Sequence, residues 1–194
     1  MDSLLSYRLS DFILFSETAY YRQFELYNQA IWPLHIVAIV FALVILYTVW
    51  RSPGCAGRVV SAILVTSWLW VAWAFLYERF YQIHVVADWY ALGFVLQAGL
   101  ITRQGLIKNR LASIEKRTNR YIFSISMLCM AVCVYPFIAV ISGRDWQQFE
   151  MFTLAPDPTA IATIAILLLY KAPRALYVIP IIWIAVSGLT LYAM

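Results

Sequence analysis

Apolar positions in this chain gather into long runs, at about 31 to 50, 59 to 77, 83 to 102, 121 to 142, 159 to 170 and 175 to 193. A helix needs roughly 20 such residues to cross a hydrocarbon core about 30 Å thick. The pattern predicts an all-α polytopic membrane bundle of about six spans, forming a single domain over residues 1–194. The fifth run is the weakest, because Lys171, Pro173 and Arg174 close it early; it reaches full length only if Leu154 to Pro158 lies at membrane depth. Ahead of the first run, LLSYRLSDFILF and ETAYYRQFELY alternate apolar, aromatic and acidic positions, which predicts one or two amphipathic helices lying in the interface over residues 1–30. The first long run opens with Trp32, Pro33 and His35 rather than following a short basic head, so no signal peptide is expected.

Composition agrees with the pattern. Hydrophobic residues make up 63% of the chain and charged residues 12%, against about 25% charged in an ordinary soluble domain. The few charges are sorted by side. The loops after spans one, three and five hold Arg51 and Arg58, then Arg103, Lys108, Arg110, Lys116, Arg117 and Arg120, then Lys171 and Arg174, while the other side holds only Arg8, Arg22, Arg79 and Arg144. The positive-inside rule then places the basic loops in the cytoplasm and both termini outside a bacterial inner membrane. Nearly all the acids fall on the outer side, with Glu115 the exception. The basic stretch from Arg103 to Arg120 is read as a contact for anionic lipid headgroups, not nucleic acid.

Two stretches echo each other at an offset of 125 residues: RQFELYNQAIWP (Arg22 to Pro33) and QQFEMFTLAPDP (Gln147 to Pro158). Both precede spans that run in the same direction, and Ile36 with Ile161, Ile39 with Ile164 and Leu43 with Leu168 extend the match. A parallel repeat of two hairpins, spans one and two with spans five and six, is expected, a known way of building a transporter. It makes Glu25 and Glu150 a pseudo-symmetric pair of carboxylates at the outer rim. Each is either a ligand group or an acid favoured by the positive end of the helix that follows. Asp157 and Pro158 read as N-cap and first residue of a helix, with a ligand role for Asp157 as the alternative.

Other polar residues at depth are candidates for cation or proton handling, because a charge inside a bilayer is costly and usually faces protein or water. They are His35, about one turn into span one, and His84 with Asp88, at i and i+4 on one face. With a glutamate they form a nitrogen and oxygen set suited to a metal, a proton relay or structural hydrogen bonding; the spacing demands no metal and implies no particular cofactor. Trp70, Trp73 and Tyr77, at i, i+3 and i+7, line either an apolar ligand pocket or a packing face between helices. Cys55, Cys129 and Cys133 form no CxxC. GxSxG, HExxH and P-loop motifs are missing, which removes support for a serine hydrolase, a zincin or a nucleotide-driven pump; an enzyme is disfavoured. Three roles stay open: binding or transport of a small solute or cation from the outer face, a non-enzymatic accessory subunit with a membrane protein or homo-oligomeric partner, and an outer-face metal or quinone redox protein.

At YRLSDF (Tyr7 to Phe12), ELYNQAIWP (Glu25 to Pro33), WLWVAWAF (Trp68 to Phe75) and LAPDPT (Leu154 to Thr159), the chain resembles a family of small bacterial integral membrane proteins of unknown function with about six spans. The resemblance implies a bacterial inner-membrane setting and transfers no catalytic residue. The family's expected residue near His84 is Asn, which weakens a metal role there.

Overall fold

A computed structural model of the chain describes residues 16–51, 54–82, 86–111 and 118–193. Among the described residues the fold is all helical, in seven helices. Helix α1 (Glu17–Ala30) is the amphipathic lead-in: Ser16 caps it by accepting from the Ala19 N–H, and Tyr20, Phe24, Tyr27 and Asn28 form its buried face. The spacing of those four residues is that of one helical stripe, so α1 packs against the bundle through its aromatic side.

The remaining helices are α2 (Leu34–Arg51), α3 (Ala56–Tyr77), α4 (Ala87–Ile101), α5 (Asn119–Ile141), α6 (Pro156–Leu169) and α7 (Arg174–Ala193). α2, α3, α5 and α7 are each long and apolar enough to cross a membrane. The outer faces of α2, α5 and α7 stay uncovered by protein, with Leu43, Ile122, Phe137 and Ile182 all more than half exposed. A soluble monomer rarely leaves so much apolar surface open, and these helices suggest a membrane-embedded bundle.

The hydropathy pattern predicts six spans, and four helices meet both length and apolarity. The two that do not have physical reasons. α4 carries Asp88 in its first turn and a buried Gln97, and its continuation over Thr102–Ile107 brings in Arg103 and Gln104, which lower its apolarity. α6 has only 14 residues, yet it is the most enclosed helix: residues 152 to 160 are buried without interruption. Protein rather than lipid surrounds its entrance, which is where irregular backbone at membrane depth is tolerated.

That irregular entrance is held by side chains. Tyr27 donates to the Leu154 carbonyl at 3.0 Å and receives the Trp70 indole N–H at 2.8 Å. Thr159 accepts the Thr153 N–H at 3.0 Å, and Thr163 accepts the Trp68 indole N–H at 2.9 Å. Thr153 has φ of +75°, a costly value for a β-branched residue, so its hydrogen bond to Thr159 offsets local strain. Helices α3 and α4 meet at Gly105, where a Cβ would stand 2.6 Å from the Ser61 Cβ; only glycine admits this approach.

Candidate functional site

The echo stretches touch each other, with different backbones. The first lies in α1, whereas the second is a 3-10 turn (Trp146–Gln148) followed by extended backbone at Phe149. Asn28 donates to the carbonyls of Gln147 and Phe149, both at 2.8 Å, and Gln29 donates to the Gln147 side chain at 2.7 Å. The equivalence of the two lead-ins therefore ends at sequence. Glu25 sits in the second half of α1, paired with Arg22 at 2.5 Å, and Glu150 lies ahead of α6 in non-helical backbone. Neither glutamate occupies the first turn of a helix, so a helix-end role explains neither. Glu25 is not among the residues that line the cavity around Glu150.

The helix start at LAPDPT also differs from expectation. The N-cap is Ala155 and Pro156 the first helical residue, so Asp157 is inside α6 rather than capping it. Two prolines in the first turn remove N–H groups that would lack partners anyway, and the Asp157 carboxylate is free to turn sideways. It accepts from the Trp183 indole at 2.7 Å, from the Ser187 hydroxyl at 2.7 Å and from the Tyr135 hydroxyl at 3.3 Å. Asp157 thereby joins α5, α6 and α7.

Above it, a cavity of about 280 Å³ is lined by Glu17, Tyr21, Tyr135, Arg144 and Glu150, with Leu191 from the end of α7. Glu150 is 6% exposed. Its Oε1 accepts from Arg144 at 3.4 Å, a long contact, and its Oε2 is buried with no partner. Arg144 in turn stacks over the Tyr21 ring, 4.0 Å from the centroid. Burial, then the negative charge of Asp157, push the Glu150 carboxyl up to about 8, against the opposing pull of Arg144. Arg144 pairs with Glu150 alone, while the partners of Asp157 are an indole and two hydroxyls; like charges in such a place do not both ionise without further compensation. Asp157 has three donors and Glu150 has one, so hydrogen bonding favours the anionic form more at Asp157 than at Glu150.

The other predicted residues divide between two further cavities. Trp70, Trp73 and Tyr77 line one groove of about 690 Å³ with Thr66 and, from α4, Ala91, Leu92 and Val95. His35 lies in a cleft of about 340 Å³ between α1, α2 and the 146–151 segment. Asp88 is exposed at the start of α4, and His84 lies outside the described residues. No group of three or more His, Cys, Asp or Glu side chains among the described residues is arranged to hold a metal ion.

Sequence reasoning missed Arg144, Tyr135, Trp183 and Ser187. Arg144 carries a faint signal, as a lone cation six residues from Glu150 in an otherwise acidic outer loop. Tyr135, Trp183 and Ser187 carry none, since each reads as an ordinary residue of an apolar span.

Fold and site together define a class: a helical bundle with membrane-length apolar helices and a buried acid–arginine cavity at one end. The chain belongs to the Family of unknown function (DUF6064), which matches residues 17–194. No curated protein and no solved structure matches it.

Proposed function

We propose that this chain is a multi-pass protein of a bacterial inner membrane that binds a small monovalent cation or cationic solute at Glu150, whose cavity Asp157 adjoins through Tyr135, in exchange for a proton, as part of its transport. The observation that carries the proposal is the buried Glu150 Oε2, which has no partner and belongs to a residue lining the cavity. A protonated Glu150, an ionised Asp157 and Arg144 sum to zero charge. Replacing the proton with a monovalent cation keeps that sum, so the cluster is never left with an uncompensated buried charge, the costly outcome in low dielectric. Glu25, expected as the symmetric partner, has no part in this arrangement.

The direction of access rests on charge. The described basic residues Arg51, Arg58, Arg103, Lys108, Arg110, Arg120, Lys171 and Arg174 fall at the far ends of the helices from Glu150, which by the positive-inside rule favours access from the outer face. The test is a thermal-shift screen of the purified protein against Na⁺, K⁺, ammonium and methylammonium at pH 7 and pH 9. At least one cation is expected to stabilise the wild type more at pH 9, where it meets less competition from protons. Glu150→Gln and Asp157→Asn are expected to abolish the effect. A wild type indifferent to every cation at both pH values would end the proposal.

A further inference from the structure

Phe149 is extended, and successive residues of extended backbone face opposite sides. Glu150 lines the acid cavity, and Phe149 lines the separate cleft that holds His35. That cleft is walled by consecutive rings. Trp32 and His35 stand 5.9 Å apart between centroids, His35 and Phe149 5.1 Å, and Phe149 and Trp146 6.4 Å with planes inclined by only 6°.

The protonation of His35 follows from its neighbours. The Asn28 Nδ2 is 2.8 Å from two carbonyl oxygens, which only accept, so the amide orientation is fixed. The Asn28 Oδ1 therefore faces the His35 Nε2, 3.3 Å away, and the Nε2 must be the donor. In the neutral ring the Nδ1 is then an acceptor, and it is buried without a partner on a side chain only 7% exposed. An interfacial aromatic belt accounts for the exposed Trp32 and Trp146. It does not account for an unpaired acceptor among the rings.

We infer that this cleft is a second binding site, for an amphiphile whose hydroxyl-bearing six-membered ring stacks among Trp32, Phe149 and Trp146 and donates a hydrogen bond to the His35 Nδ1. A cleft of about 340 Å³ is at the small end of ligand sites and suits one substituted ring. The apolar part has a route, since Ile39 lines the cleft and continues into the open face of α2 through Ile36, Val40 and Leu43, each about half exposed or more. A ring-headed lipid fits both halves, and its source is either a quinol or a glycolipid. The site is independent of the acid cavity and survives the failure of the cation proposal.

The experiment is quenching of tryptophan fluorescence in the full chain, held in a detergent without a sugar headgroup, by a short-chain benzoquinol, its benzoquinone and an alkyl glucoside. Binding by the quinol or by the glucoside is expected, and which one binds identifies the source. His35→Phe keeps the ring and removes the acceptor, and should weaken that ligand about tenfold, the equivalent of one hydrogen bond. Trp32→Ala, at an exposed position, should weaken it as well while leaving the melting temperature unchanged. Failure of both hydroxylated ligands to quench would overturn the inference. So would equal affinity of His35→Phe and wild type for the ligand that binds, or, where that ligand is the quinol, a quinone that binds as tightly.

Discussion

Glu150→Gln tests the buried carboxylate through stability alone, with no ligand required. The Glu150 carboxyl moves from an ordinary value of 4.5 in the unfolded chain to about 8 in the fold, so between those values the folded state binds more protons than the unfolded state. Stability contributed by the proton is fully present below pH 4.5 and is lost as the pH rises through 8. Each tenfold gain in proton affinity on folding corresponds to about 1.4 kcal/mol, so the wild type should lose on the order of 4 kcal/mol across the window. For a chain of this length that is roughly 10 °C in melting temperature. Glutamine keeps the shape and the neutral state and has no proton to lose. The charged and titratable groups facing Glu150 are Arg144 from its own loop, Asp157 from α6, Tyr135 from α5, and Tyr21 and Glu17 from α1; all of them remain in the variant as a common background. The assay is thermal unfolding of both proteins in one detergent from pH 4.5 to 9. The wild-type curve should fall more steeply than the variant curve, with the variant the more stable at pH 9. Parallel curves would refute the reasoning, because they would mean that Glu150 titrates as it does in water.

Other perturbations probe the packing that positions this site. Asp157→Ala leaves the Trp183 indole and two hydroxyls facing a void, and unfolding in denaturant should show a loss of about 2–4 kcal/mol. Tyr27→Phe removes the hydroxyl shared by Leu154 and Trp70, and should cost about 1–3 kcal/mol by the same measurement. Gly105→Ala drives a methyl into Ser61, with an expected cost of about 1–3 kcal/mol; adding Ser61→Gly should restore most of it, and an additive double mutant would contradict the assigned contact. For the accessory-subunit role, native purification in mild detergent distinguishes the readings: a stoichiometric membrane partner favours that role, and a single species favours the chain acting alone.

Some of this was legible in the sequence and some was not, for physical reasons. The helical class and the aromatic stripe of α1 follow from periodicity, which local residues carry. Trp70, Trp73 and Tyr77 do line one groove, but Val71–Tyr77 is a π-helix, so α-helical spacing is not what brings them together. The roles of Glu25 and Glu150 were not separable, because the same QFE triplet occurs once in a helix and once where a 3-10 turn passes into extended chain. What differs is the tertiary setting: α1 lies against the bundle and leaves Glu25 near the surface, whereas the 146–155 segment is drawn inward by Asn28, Tyr27 and Thr159. The sideways turn of Asp157 was likewise hidden, since its partners come from spans 22 to 30 residues away.

The central claim is that a proton on Glu150 trades places with a cation, and proton release measures it most directly. Purified protein in weakly buffered solution at pH 7 with a pH-sensitive dye is titrated with the cation that stabilises it. About one proton should be released per chain on saturation, and none from Glu150→Gln. Cation binding without proton release, or equal release from the variant, would contradict it.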